Sequence, residues 1–118
     1  MDRESVRKQL DEREIEFLLA QFVDVHGTAK VKMVPRASFD DLIDAGAGFA
    51  GAAVWGAGQG PHSHDMMARI DLSSFTPLPW KPNTARFAAD LYVDPESQTY
   101  CARTNLKRVL AHVSQQAY

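Results

Sequence analysis

Residues 44–65 have the sequence DAGAGFAGAAVWGAGQGPHSHD, and this stretch separates two regions of regular patterning. Five of the chain's seven glycines lie from Gly48 to Gly60, where neither a helical nor a strand period survives. The apolar run predicts a short strand over Ala52–Trp55, followed by a Gly-rich loop over residues 56–65. Long loops without secondary structure of their own are often functional, so this segment is the first candidate for a site.

The sequence before this stretch predicts a β-hairpin. Residues 15–25 carry apolar side chains on both faces, which is typical of a central strand. A turn at residues 26–28 leads to a second strand over residues 29–34. In that strand we expect Val31 and Met33 to point inward and the two lysines to point outward.

Two helices are predicted around the hairpin. Residues 2–12 form a polar pattern with one narrow apolar stripe, Val6 and Leu10, so we expect this helix to pack loosely or against a partner. The second helix follows Ser38, a good N-cap residue, and ends within Gly46–Gly48.

Strands return after the Gly-rich stretch. Residues 66–80 predict a brief strand and then a Pro-punctuated stretch, and residues 85–93 predict a longer strand. A turn at Asp94–Ser97 leads to a short strand at Thr99–Ala102. Together with the helices, these strands predict an α+β domain over residues 1–118, with a small mixed sheet packed by helices.

Residues 104–118 predict an amphipathic helix with Thr104 as its N-cap. Its apolar side chains step at i, i+3, i+4 and i+7: Leu106, Val109, Leu110 and Val113. No Gly or Pro stop signal follows, which favours a chain cut from a larger protein over a natural end.

Composition narrows the class of protein. The chain has 118 residues, 45% of them hydrophobic and 24% charged, which suits one globular domain. A net charge of −2 with no basic block argues against a nucleic-acid partner. No apolar run approaches the ~20 residues of a membrane span. With one cysteine, Cys101, and no secretory pattern, we expect a cytoplasmic protein.

His62, His64 and Asp65 are the nearest approach to a metal site. Imidazole and carboxylate ligands suit zinc or iron, but a closed site needs further ligands. His26 and His112 are distant in sequence. A solvated polar loop is therefore the favoured interpretation, and no metal site is predicted.

Other candidate groups receive structural interpretations. The glycines lack the Lys and Ser or Thr of a phosphate-binding loop. Cys101 is interpreted as a buried structural thiol, and Asp40 and Asp41 as capping and solubilising residues. Trp55 and Trp80 flank the loop and its exit, either as core residues or as anchors at an interface.

The order of several motifs resembles the N-terminal domain of glutamine synthetases. Gly48–Ala53 (GFAGAA) is similar to that family's GFDGSS, and Ser63–Met66 (SHDM) to its SDM. Pro79–Trp80 is similar to its PW, and the strand, turn and helix that follow keep the family's order. The resemblance covers nearly the whole chain.

The resemblance implies a β-grasp-like fold and a share in a larger enzyme. In that family, ATP phosphorylates the γ-carboxylate of glutamate, and an amine attacks the acyl phosphate. The C-terminal domain holds ATP, the metal ions and glutamate, so no cofactor is expected on this chain. The N-terminal domain of a neighbouring subunit in a homo-oligomer lends residues to the amine pocket. Asp65 matches an acidic residue of that pocket, with Ala50 as a second amine-site position.

The sequence departs from the family where the amine binds. Ala50 replaces the family's aspartate, which favours ammonium, and Ala52 and Ala53 replace its two serines. Small apolar side chains suit an alkylated amine, and the resemblance is stronger to type III enzymes and γ-glutamylmethylamide synthetases. The family's C-terminal catalytic domain is missing, so we expect no activity from this chain alone. The alternative is a stand-alone interaction module with the same fold and no chemistry.

Overall fold

A computed structural model describes residues 2–54, 65–93 and 101–116. Within these ranges the chain forms three α-helices and a six-stranded sheet. The elements in order are α1 (Arg3–Glu12), β1 (Phe17–Val23), β2 (Ala29–Pro35), α2 (Phe39–Asp44), β3 (Ala47–Phe49), β4 (Met66–Ile70), β5 (Thr76–Leu78), β6 (Lys81–Tyr92) and α3 (Ala102–Gln115). The predicted α+β class is confirmed.

The sheet is mixed, with the strand order β2-β1-β6-β4-β3. β1 and β2 form the predicted antiparallel hairpin, in which Phe17 pairs with Pro35. β1 also pairs in parallel with β6, where Phe17 lies opposite Thr84. β4 and β5 pair antiparallel with the other edge of β6, and β3 pairs with β4. The long strand β6 therefore holds the sheet together.

One face of the sheet, the front face, carries the hydrophobic core. Alternate residues of β1 and β6, including Leu18, Ala20 and Phe87, point to this face and are buried. Val6 and Leu10 of α1 are also fully buried there. The expectation that α1 packs loosely is wrong, because both residues of its narrow apolar stripe are buried in the core of this chain.

Gly46 connects α2 to the sheet. Its φ of +90° is accessible to glycine without strain, and its backbone N–H donates to the Asp41 carbonyl oxygen at 2.8 Å. A Cβ at this position would lie 2.7 Å from the carbonyl oxygen of Ala68. β3 consequently begins directly after Gly46. The strand predicted at Ala52–Trp55 is contradicted over its described residues, because Gly51–Ala53 form a 3₁₀ turn.

The opposite face, here called the rear face, is formed by the alternate residues Leu19 and Gln21 of β1 and Arg86 and Ala88 of β6. Val31 and Met33 lie opposite Gln21 and Leu19 in the hairpin and are 49% and 48% exposed. Their predicted inward orientation is wrong because they point to the rear face, and it is the lysines that share the side of the core.

Cys101, and not the predicted Thr104, is the N-cap of α3. Thr104 lies inside the helix and is buried. The strand predicted at Thr99–Ala102 is contradicted at its last two residues, because Cys101 caps α3 and Ala102 begins it. The other two residues of that strand, and the turn at Asp94–Ser97, lie outside the described residues.

Candidate functional site

Four strand ends meet at one edge of the sheet. β1, β3 and β6 run in the same direction and β4 runs against them, as the parallel and antiparallel pairings require. The carboxyl ends of β1, β3 and β6 therefore lie at the same edge as the amino end of β4. This edge, here called the site edge, carries both sequence-predicted amine-site residues.

Ala50 and Asp65 are placed next to each other by the pairing of β3 with β4. Phe49 pairs with Met66, so the next residue outward on one strand is Ala50 and on the other is Asp65. Both residues are exposed. The structure thus brings together the two positions that the sequence analysis selected, on either side of residues 55–64.

Buried side chains hold this pair of positions in place. The ring of Phe49 stacks on that of Phe22 with centroids 4.5 Å apart, and Met66 is almost fully buried. Beyond Ala50, the 3₁₀ turn returns the chain inward so that Val54 also joins the core. The backbone is therefore anchored on both sides of the exposed pair.

His62, His64 and Trp55, which the sequence analysis singled out, lie outside the described residues. Asp65, the third member of the candidate metal cluster, is described and faces solvent. Within the ranges that the structure describes, no three His, Cys, Asp or Glu side chains are grouped to hold a metal ion. What the site edge presents there is one exposed carboxylate beside a methyl-sized side chain.

The turn between β1 and β2 also lies at the site edge, but its acidic residue has a structural role. Asp24 is buried, and its Oδ1 accepts hydrogen bonds from the backbone N–H groups of His26 and Thr28, both at 2.9 Å. A carboxylate occupied in this way shapes the turn. Asp65 is therefore the better candidate for contact with a ligand.

Cys101 is buried, as predicted for a structural thiol. Its Sγ accepts hydrogen bonds from the backbone N–H groups of Leu91 at 3.2 Å and of Thr104 at 3.4 Å. The side chain therefore links the end of β6 to the first turn of α3.

A cluster of charges that the sequence analysis missed completes this link. Arg103 donates to Asp90 Oδ1 at 2.9 Å and to Asp71 Oδ2 at 2.7 Å, and Lys107 donates to Asp90 Oδ2 at 2.8 Å. The sequence contained one sign of this cluster in β6, where strand alternation places the charged residue Asp90 on the face opposite Phe87.

Asp71 belongs to the same cluster, and its pKa lies below the ordinary value. The hydrogen bond from the Ser73 hydroxyl is the main cause, at a distance of 2.6 Å. Partial burial acts in the opposite direction, and Arg103 contributes to the lowering. The carboxylate is thus held in its charged form, in which it tethers α3.

No helix among the described residues has the length and apolar character to cross a membrane.

The sequence-family model of the glutamine synthetase β-grasp domain matches residues 14–94 of this chain. That match covers the sheet from just before β1 to just past β6, and it agrees with the β-grasp-like fold that the sequence resemblance implied.

Individual relatives extend the similarity to α3. The glutamate–methylamine ligase of Methyloversatilis universalis is 38% identical over 115 residues, covering 97% of this chain and 26% of the relative. A glutamine synthetase of Rhizobium leguminosarum bv. phaseoli is 33% identical, covering 89% of this chain and 24% of the relative. This chain spans about a quarter of the length of these relatives.

A solved structure of GmaS in complex with ADP superposes with a TM-score of 0.84 and 36% sequence identity. The superposition covers 98% of this chain and 26% of the GmaS chain. The similarity therefore holds in three dimensions for the domain together with its last helix.

Proposed function

The chain belongs to the glutamine synthetase family, as its β-grasp domain, and from that premise we propose that it is the N-terminal domain of a glutamate–amine ligase. In this proposal the enzyme joins ammonia or methylamine to the γ-carboxyl group of glutamate in the cytoplasm. ATP and magnesium are bound by the rest of the enzyme. This domain completes the amine site of a neighbouring subunit and supports assembly of the oligomer.

The adjacency of Ala50 and Asp65 at the site edge carries the proposal. An amine reaches the enzyme largely as a cation and must lose a proton before its nitrogen can attack an acyl phosphate. An exposed carboxylate can bind the cation and accept that proton. We therefore assign amine binding to Asp65, and its exposure leaves it free to face a second protein surface.

Ala50 supports an alkylated amine as the substrate. The methyl side chain offers an apolar contact next to the carboxylate, and it adds no second negative charge that would favour ammonium. The similarity to a glutamate–methylamine ligase, at 38% identity, agrees with this choice. Methylamine is accordingly the first substrate to test.

The test uses a chimera in which this chain replaces the matched N-terminal quarter of the Methyloversatilis ligase. We expect Asp65→Asn to raise the KM for methylamine about tenfold or more, with the KM values for ATP and glutamate unchanged, because the variant removes the charge that binds the amine. Asp41→Asn, an exposed carboxylate on α2, is the matched control. Methylamine turnover that is unchanged in Asp65→Asn contradicts the assignment.

A second variant tests the substrate class. Ala50→Asp adds a carboxylate beside Asp65, and we expect it to shift the ratio of kcat/KM for ammonia over methylamine upward by about tenfold. Ala50→Asn adds a side chain of nearly the same size and shape without a charge and serves as the control. If both variants leave the ratio unchanged, Ala50 lies outside the amine site.

The alternative of a stand-alone interaction module has its own support in Ala50, which lacks the charge that the family carries at this position. It predicts a chimera that assembles but has no ligase activity with either amine. Turnover by the chimera at rates near those of the parent ligase argues for the ligase.

A further inference from the structure

The strand β3, which leads into Ala50, has little support from the sheet itself. It is three residues long and pairs with β4. β4, by contrast, pairs with both β3 and β6, and its Met66 and Ala68 are almost fully buried. Short segments with few buried contacts belong to the low-stability end of a structure. The placement of Ala50 therefore depends on contacts that β3 makes outside its strand pairing.

Two such contacts come from the far side of the sheet. β2 and β3 lie at opposite ends of the strand order, yet Nζ of Lys32 in β2 donates to the carbonyl oxygen of Gly48 in β3. Phe22 of β1 reaches the same strand, with its ring stacked on that of Phe49 at a centroid distance of 4.5 Å. The sheet is therefore curled across the front face, so that β1 and β2 close on β3.

The two contacts have different physical consequences. Lys32 pairs with Ala20, which is buried on the front face, so the lysine side chain leaves its strand on that face. Burial of apolar rings has no preferred direction, whereas a charge-assisted hydrogen bond fixes one donor against one acceptor. The stack therefore holds β3 against the sheet, and Lys32 sets where its backbone lies.

This hydrogen bond bears on the amine site through the chain direction. Ala50 is two residues beyond Gly48, which is roughly 7 Å along an extended strand. A displacement of the Gly48 backbone is therefore passed to Ala50. Asp65 is on β4, next to the buried Met66, and it keeps its place. Loss of the hydrogen bond thus changes the position of the methyl side chain relative to the carboxylate.

We propose that Lys32 is a positioning residue for the amine site, which holds Ala50 where its methyl group meets the alkyl group of the amine. The inference rests on the proposed function, since Ala50 and Asp65 receive their roles there. Lys32 acts through the β3 backbone and not by contact with the amine. It is thereby a determinant of selectivity for methylamine over ammonia.

A role of Lys32 through its charge has the opposite sign. A positive charge near the site repels a cationic amine, so removal of the charge by this route lowers the KM for both amines. Removal of a positioning contact raises the KM for methylamine and leaves ammonia, which makes no alkyl contact, little affected. The direction of the change separates the two roles.

Steady-state kinetics of the Methyloversatilis chimera test the proposal. We expect Lys32→Met to raise the KM for methylamine about fivefold and to leave the KM values for ammonia, ATP and glutamate within about twofold of the parent. Lys32→Arg keeps a donor and should restore most of the selectivity. Lys30→Met removes the other lysine of β2, on the same face, and is the control; we expect it to behave as the parent.

Four kinetic outcomes overturn the proposal. One is an unchanged KM for methylamine in Lys32→Met. Two others are a fall in the KM for both amines and an equal effect of Lys30→Met, because each assigns the effect to charge. The fourth is an equal rise in the KM values for methylamine, ATP and glutamate, because it indicates a general loss of structure.

Hydrogen exchange of the isolated chain tests the contact itself. We expect Lys32→Met to lower the protection of the β3 amides about fivefold, with the amides of β1 and β6 unchanged. Unchanged protection in β3 overturns the proposal. A parent chimera that turns over neither amine refutes the proposed function, and the positioning role with it. A parent chimera that is active, with Lys32→Met kinetics equal to its own, refutes the role of Lys32 and leaves the function standing.

Discussion

The first and last helices of the chain are both amphipathic, but they differ in what covers their apolar residues. Val6 and Leu10 of α1 are fully buried against the front face. The wider stripe of α3 is exposed, from 40% at Val113 to 68% at Leu106. An apolar stripe in a sequence therefore indicates that a helix has a partner. It leaves open whether that partner belongs to the same chain.

The two helices also differ in how they are attached. α1 enters the core, and Arg3 and Arg7 add ion pairs to Asp40 of α2. α3 is held at its first turns by Cys101 and the charge cluster around Arg103. Attachment through packing and attachment through charges respond differently to substitution and to pH.

The largest expected difference concerns two leucines. We expect Leu10→Ala in α1 to lower the free energy of unfolding by about 2–5 kcal/mol, because it opens a cavity in the core. Leu110→Ala in α3 should change it by about 0.5 kcal/mol or less, because the side chain is already in solvent. Urea unfolding of the isolated chain measures both. Equal losses in the two variants contradict the contrast between the helices.

An intermediate effect is expected at the attachment of α3. Arg103→Met removes the hydrogen bonds to Asp71 and Asp90, and charge-assisted bonds of this kind contribute about 1.5–3 kcal/mol. Hydrogen exchange should show faster exchange of α3 amides, with the amides of β1 and β6 little changed. Arg108→Met, on the exposed side of the same helix, is the control. Unchanged exchange in α3 means that packing, and not charge, holds the helix.

The smallest effect is a dependence on pH. The pKa of Asp71 is lowered in the folded chain, so its contribution to stability is present above the unfolded pKa of about 3.9 and is lost as pH falls through the folded pKa. We expect the protection factors of the α3 amides, which correct for intrinsic exchange at each pH, to fall below about pH 4. The effect should be about 1 kcal/mol or less, because the carboxylate is partly exposed. Asp71→Asn should show a smaller fall in these protection factors than the parent; an identical pH profile contradicts the role of Asp71.

Local sequence patterns predicted where the helices and strands lie better than they predicted which face of each element is buried. Alternation located the β1–β2 hairpin, but it assigned Val31 and Met33 to the core and the lysines to solvent. In the edge strand β2 a long side chain can lie on the core side and still reach a polar partner, as Lys32 does when its Nζ donates to the carbonyl oxygen of Gly48. The period of a strand is local information, whereas the identity of the covered face depends on the whole sheet.

The boundaries of β3 show a second limit. The glycines near residue 46 were interpreted together as the end of α2, and the strand was predicted too late. A single glycine, Gly46, ends the helix, and its close approach to the Ala68 backbone places Gly48 already within β3. That approach is a tertiary contact, which no local propensity contains.

The residues of the candidate site were selected from the sequence, but their arrangement in space was not predicted. Asp65 and Ala50 were selected through the family resemblance, and their adjacency follows from the β3–β4 register, which the sequence analysis did not predict. Lys32 was not selected, because a lysine in an edge strand gives no signal until its contact with β3 is known.

The parallel pairing of β1 with β6 also bears on when the domain can form during synthesis. Phe17 lies opposite Thr84, so β1 has its second neighbour only after β6 has left the ribosome. Until then the β1 edge of the hairpin is unpaired as well as the β2 edge, and α1 lacks the Phe87 layer of the core. Long-range parallel pairing is slow to form, and exposed strand edges favour aggregation. The translation rate between β2 and β6 is therefore expected to influence the yield of folded protein.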